Sequence, residues 1–219
     1  CRALYLQGRS YYKLKKRSMA FKVLKVAIEV CAPIRHEDTP LALYIAGKTA
    51  SSIDKDELSK TYFTKLFKEY SHRLSDDAAV FLVRHSLAQG KKGLKEAMEV
   101  VRSLPRLHPK GDLSSEAIMF VLIEALAQKR LDLASELTAL SLQLSPKEFT
   151  FHDAGRSTYW RARVLALRKK TKEAYALYEQ VIYTVPLTWY ALMAYSRLYE
   201  VDPKRAQRVV IEALTWRPK

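Results

Sequence analysis

An all-α fold, with antiparallel helix pairs stacking into a right-handed superhelix, is what this 219-residue sequence predicts. Three observations carry that expectation. Apolar residues recur three and four positions apart, the spacing of one helix face, while strand-like alternation is nowhere sustained. Only 6 glycines and 8 prolines punctuate the chain, which suits short turns between about twelve helices. Third, a small residue is followed twelve or thirteen positions later by proline four times: Ala20 to Pro33, Ala97 to Pro109, Ala134 to Pro146 and Ala174 to Pro186. The alanine lets two helices approach closely, and the proline stops the second one.

Six pairs follow within a single helical domain, 1–219. Residues 1–33 form a hairpin turning near Arg17, with Leu4, Gly8, Tyr11, Ala20, Leu24 and Ala27 at its contact positions. Residues 40–74 read as an irregular pair, without the alanine and proline marks but with the stripe Leu58, Tyr62, Phe63, Leu66, Phe67 and Tyr70. The pair 76–109 opens beside Ser75, Asp76 and Asp77, residue types that suit a helix N-terminus. The pair 113–146 shows Ala117, Phe120, Val121, Glu124 and Ala125 at helical spacing.

The pair 153–186 comprises helices 153–169 and 172–184, the second capped by Thr171. In its first helix Trp160, Val164 and Leu167 share a face that Tyr159, Ala162 and Ala166 widen, so Trp160 reads as core. Arg161 and Arg163 lie about 200° apart around that helix. One is expected to pair with Glu173 or Glu179, and the other to meet solvent or ligand. The last pair, 187–217, contains Asp202 before Pro203, a cap followed by a first-turn proline.

Composition narrows the function classes. Hydrophobic residues make up 48% of the chain, which excludes a disordered segment. The longest apolar run, "AIMFVLIEALAQ", is broken by Glu124 and is too short to cross a bilayer, so no transmembrane segment is expected. A net charge of +15 favours an anionic partner. The charges are dispersed, however, with "KLKKR" at Lys13–Arg17 the densest cluster. That pattern reads as a generally basic surface rather than a polyanion groove.

Chemistry-bearing motifs are scarce. "AGKTA" at Gly47, Lys48 and Thr49 mimics the tail of a phosphate-binding loop, but Ala42 stands where its first glycine would be and no strand precedes it. The 5 histidines show no metal-ligand spacing, and no nucleophile motif is present. Asp76-Asp77 and Glu37-Asp38 read as helix-start residues. No catalytic residue, metal or cofactor is expected. In the first hairpin Cys1 and Cys31 fall at the same open end. Two readings stand: free thiols, or a bridge contributing about 3 kcal/mol in an oxidising compartment.

The recurring pairs, with 37 residues from Ala97 to Ala134 and 40 from Ala134 to Ala174, resemble tetratricopeptide repeats, whose period is about 34 residues. A narrower resemblance is carried by "GRSTYWRARVLALRKKTKEAYALYEQVIYTVPLTWYALMAYSRL" and, upstream, by the Pro109, Gly111 and Asp112 turn. Tyr159, Trp160, Arg161, Ala162 and Arg163, then Ala174, Leu177 and Tyr178, then Trp189, Tyr190, Ala191, Leu192, Ala194, Arg197 and Leu198 follow in the order of the superhelical domain of soluble lytic murein transglycosylases. The likeness is clearest over about residues 75–200.

That resemblance implies a non-catalytic scaffold in the periplasm or cell envelope. Its partners would be peptidoglycan glycan strands and a lysozyme-like catalytic domain of the same parent chain. The family's catalytic Glu-Ser motif is absent from this sequence, and "CRAL" at the start reads as the middle of a helix, as in a piece of a larger protein. Arg161, Arg163, Trp189 and Tyr190 are the candidate ligand-facing residues, the aromatic pair lying against sugar rings or closing the helical stack. The alternative is a stand-alone tetratricopeptide-like module that binds other proteins. Nucleic acid is the least favoured partner, because the periods are too uneven for a base-per-repeat code.

Overall fold

The computed structural model describes residues 1–144 and 153–215, the side chain of Lys91 excepted. Among them lie twelve α-helices and no strand. They are α1 (Arg2–Lys13), α2 (Arg17–Cys31), α3 (Thr39–Ser51), α4 (Asp56–Glu69), α5 (Ser75–Leu87), α6 (Gly93–Leu107), α7 (Ser114–Ala127), α8 (Leu131–Leu144), α9 (Arg156–Leu167), α10 (Thr171–Thr184), α11 (Trp189–Tyr199) and α12 (Pro203–Thr215), with a 3-10 turn at Gly90–Lys92. Two compact units result, Cys1–Val121 and Leu122–Lys219. Pro146 and the last two residues of the 187–217 pair lie outside the described residues.

The turns inside the pairs share one design. Lys15, Asp54, Lys129 and Lys169 each adopt a left-handed conformation, with φ of 59°, 58°, 57° and 61°. The next amide closes back across six residues: Lys16 N to Tyr11 O, Lys55 N to Ala50 O, Arg130 N to Ala125 O and Lys170 N to Leu165 O, at 2.8–3.0 Å. This double-bonded helix stop satisfies carbonyls that the ended helix would otherwise leave open. The following residue starts the second helix, and three positions later comes a small buried residue: Ala20, Ser59, Ala134 or Ala174. Ser59 is the position that the sequence concealed, because serine replaces alanine there. The second pair is therefore regular. The third is the irregular one, its turn lengthened by Gly90 and the 3-10 segment.

Helix packing follows from these small residues. A Cβ on Gly8 would stand 2.5 Å from Cγ of Leu24, and one on Gly47 would stand 2.8 Å from the Phe63 ring. Only glycine lets α1 approach α2, and α3 approach α4, so closely. In the first unit the core holds Leu24, Leu43, Phe63, Leu66, Phe67 and Leu104; in the second it holds Tyr159, Tyr178, Val181 and Leu198. First helices of consecutive pairs also touch, α1 with α3 and α9 with α11.

Several local expectations need correction. The buried face of α9 runs through Tyr159, Ala162, Val164 and Leu165, as expected for all but Leu165, whereas Leu167 is exposed. Trp160 is half-buried and packs edge-on against Tyr159 at 5.6 Å. Ser75 does not cap α5; its hydroxyl donates to Tyr70 O (2.7 Å) and accepts from His72 N (3.2 Å), which shapes the preceding turn. Thr171 begins α10 without capping it, since Lys170 occupies the cap position. Asp202 does cap α12, accepting from Arg205 N at 3.0 Å. The second helix of the third pair passes Pro105 and ends two residues before Pro109.

Cys1 and Cys31 are joined in a disulfide with Cα atoms 5.6 Å apart. Next to it Arg2 reaches the buried Asp38 at 2.7 Å, tying the start of α1 to the start of α3.

Candidate functional site

In the first unit, successive first helices bring aromatic rings and cations into one row. Tyr44 and Lys48 are four residues apart on α3, and Phe81 and Arg84 are three apart on α5, so each pair shares a helix face. The Tyr44 and Phe81 rings meet edge-on at 6.0 Å. Lys48 Nζ stands 5.3 Å from the first ring and 5.9 Å from the second. Arg84 continues the row, 5.6 Å from the ring of Phe120 on α7. Phe63 of α4 is the floor, stacked on Phe81 at 4.4 Å and 6°.

Tyr44, Lys48, Phe81 and Phe120 are half-buried and Arg84 is exposed. Rings in this state offer apolar area with little motion left to lose, and a cation held over a ring keeps its charge available to a ligand. Among the described residues, neither Lys48 nor Arg84 forms an ion pair. The Tyr44 hydroxyl donates to Asp77 Oδ1 at 3.4 Å. Burial first, and then the Asp77 charge, push the Tyr44 pKa from 10.0 up to about 12, so the phenol stays neutral.

An open cavity of about 660 Å³ adjoins α5, bounded among others by His72, Arg73, Asp76, Asp77, His108 and Asp112. Carboxylate oxygens of Asp76, Asp77 and Asp112 gather within 4.8 Å. Burial is the main cause that raises both Asp76 and Asp77. Asp76 has a structural use. Its Oδ2 accepts from Leu113 N at 2.8 Å, and Gly111 presses so close to it that a Cβ would sit 2.6 Å from that oxygen. His108 Nε2 meets Phe67 O at 2.8 Å, which anchors the same turn to α4.

The four residues nominated from the sequence do not converge. Arg161 points into its own unit, donating from Nη1 to Ser135 O (2.9 Å), Ser135 Oγ (3.0 Å) and Thr138 Oγ1 (3.3 Å) on α8. Arg163 leaves the other side of α9, toward buried Tyr178, where it opposes the upward shift that burial causes. Neither arginine takes the expected carboxylate: Glu173 pairs with Lys170 at 3.3 Å, and Glu179 takes Arg205, Nη2 to Oε2 at 3.0 Å. Tyr190 packs on the core, 5.5 Å from the Tyr159 ring. Trp189 alone stands open, at 55% exposure.

The row in the first unit was not read from the sequence, although a signal existed. Tyr44, Phe81 and Phe120 are spaced by 37 and 39 residues, close to the repeat period. Lys48 was considered only as part of a phosphate-loop mimic. In the structure it lies inside α3 and its neighbour Thr49 donates to Ile45 O at 2.6 Å, so no such loop exists.

Comparison with known proteins supports the helix-pair reading for the first pair. A tetratricopeptide repeat model matches residues 2–30. No curated protein matches the chain. Among solved structures, the nearly identical TPR-like repeats of a Podosopora anserina protein match at 15% identity and a TM-score of 0.47, covering 82% of this chain and 92% of that one. A single-substitution form of the same repeats matches at 16% identity and 0.48, with the same coverage. The family model does not point to a lytic transglycosylase. The chain is an all-α protein built of tetratricopeptide-like helix pairs.

Proposed function

We propose that this chain is a protein-interaction module that lays an acidic segment of another protein along the row Tyr44, Lys48, Phe81, Arg84 and Phe120. The supporting observation is a pair of cations held over half-buried rings, neither of which forms an ion pair among the described residues. Carboxylates of the ligand meet Lys48 and Arg84, and its apolar side chains cover the rings. The chain's +15 charge draws such a ligand in before contact is made.

The test uses a fluorescein-labelled peptide alternating glutamate with leucine and tyrosine. Binding measured by anisotropy should fall at least tenfold in Lys48→Glu/Arg84→Glu and weaken as salt rises. Binding that ignores both substitutions rejects the row. The narrower role, a periplasmic scaffold for murein cleavage by a lysozyme-like domain, rests on the sequence resemblance alone. Retention on murein sacculi in low salt, with no affinity for acidic peptides, would favour it instead. The Cys1–Cys31 bond is compatible with such an oxidising compartment.

A further inference from the structure

The row in the first unit has a step, and that step selects the conformation of whatever lies on it. Lys48 sits on α3, Arg84 on α5 and Phe120 on α7, so successive positions are one helix pair apart. Large rings lie between these helices. Tyr44 of α3 meets Phe81 of α5 at 6.0 Å, and Arg84 reaches the Phe120 ring at 5.6 Å. Helices held apart by such side chains stand about 10 Å from one another. A polyproline II segment rises about 3.1 Å per residue with three residues per turn, so every third residue faces the same way after about 9 Å. A β-strand presents one face every second residue, after about 7 Å, or every fourth, after about 13 Å. Only the three-residue repeat keeps pace with the helices.

The ligand's backbone leads to the same answer. Among the described residues there is no strand, so a β-strand laid across the row finds no ladder to join. Amides and carbonyls within α3 and α5 bond inside their own helices. A polyproline II backbone has no such need, because water satisfies it. Proline-rich segments dock on aromatic-lined surfaces, and here Tyr44, Phe81 and Phe120 are half-buried rings. Lys48 Nζ stands 5.3 Å and 5.9 Å from the first two, which sets a positive charge beside the apolar surface.

We propose that the acidic segment taken by the first unit is a polyproline II stretch, with an acidic residue at every third position and prolines between. One carboxylate meets Lys48 and the next, one turn on, meets Arg84. The intervening prolines cover the Tyr44, Phe81 and Phe120 rings. This inference rests on the row as the binding surface and adds the ligand's conformation and spacing to it. Neither follows from the +15 charge, which attracts acidic peptides of equal charge alike.

Three fluorescein-labelled peptides of equal length and charge test it by anisotropy. The first is four Glu-Pro-Pro repeats. The second holds the same residues with all the glutamates together at one end, and the third is four Glu-Gly-Gly repeats. Expected is binding of the first at least tenfold tighter than of either other peptide. Lys48→Glu/Arg84→Glu should abolish that preference at unchanged circular dichroism. Equal affinity for the first and second peptides overturns the spacing, and equal affinity for the first and third overturns the conformation. If the peptide of glutamate, leucine and tyrosine still binds through Lys48 and Arg84 in either case, the row stands and this inference falls. If no peptide responds to the two substitutions, the row itself is rejected and the inference with it.

Discussion

Replacing Gly47 by alanine tests how closely α3 and α4 are pressed together. The new Cβ would stand 2.8, 2.9 and 3.0 Å from three atoms of the Phe63 ring. That ring cannot retreat, being 2% exposed, stacked on Phe81 and met edge-on by Tyr44 at 6.1 Å. Overpacking of this order costs roughly 1–3 kcal/mol, and the better helix propensity of alanine returns about 1 kcal/mol. A net loss of about 1 kcal/mol is therefore expected. Phe63→Leu removes part of the ring and costs about 1–2 kcal/mol by itself. Together the two should lose less than their sum by about 1 kcal/mol, because leucine vacates the space that the alanine methyl needs. Urea unfolding followed by far-UV circular dichroism measures all four corners of this cycle. Additive losses, or a Gly47→Ala protein as stable as the parent, would refute the close-approach argument.

Other outcomes follow from single features. Lys15→Gly and Lys169→Gly relieve left-handed backbones at 59° and 61° and should each raise stability by about 0.5–1 kcal/mol in the same urea assay. Reducing the Cys1–Cys31 bond, which spans a sequence separation of 30, should cost about 3–4 kcal/mol, seen as a lower urea midpoint with dithiothreitol. Arg161→Ala strips three hydrogen bonds from α8 and should destabilise by about 1–3 kcal/mol, whereas Trp189→Ala at an open position should stay within about 0.5 kcal/mol. Tyr44 should be among the late-ionising phenols in an ultraviolet titration, with Tyr62, Tyr70, Tyr178 and Tyr183, and Tyr44→Phe should reduce that late phase by one phenol. Its folded pKa lies above 10.0, so the stabilisation of the neutral phenol is complete below pH 10.0 and is lost as pH rises through about 12.

The helix pairs were legible because their marks are local: a small residue where helices cross, a proline past the helix end, apolar residues three and four apart. Ser59 escaped since serine does the work of alanine without sharing its name. On α9 the expected Tyr159, Ala162 and Val164 are buried, but the stripe was centred on Trp160, which is only half-buried, and was carried on to Leu167, which is exposed, while Leu165 was missed. Arginine partners were beyond reach. Arg161 bonds to a carbonyl and two hydroxyls on α8, and nothing in a sequence distinguishes those acceptors from a carboxylate. The row of Tyr44, Lys48, Phe81 and Arg84 needed the repeats to be laid in register first, after which rings from separate helices become neighbours.

Lys15, Lys129 and Lys169 sit exposed in the left-handed turns, where only backbone atoms close the structure. Their ammonium groups are consequently spectators that chemistry can address without disturbing the helices. Cysteine exchanged at two of these corners and labelled with a fluorophore pair would turn the turns into surveying posts, reporting the distance between successive hairpins in solution and any change of pitch when a ligand arrives.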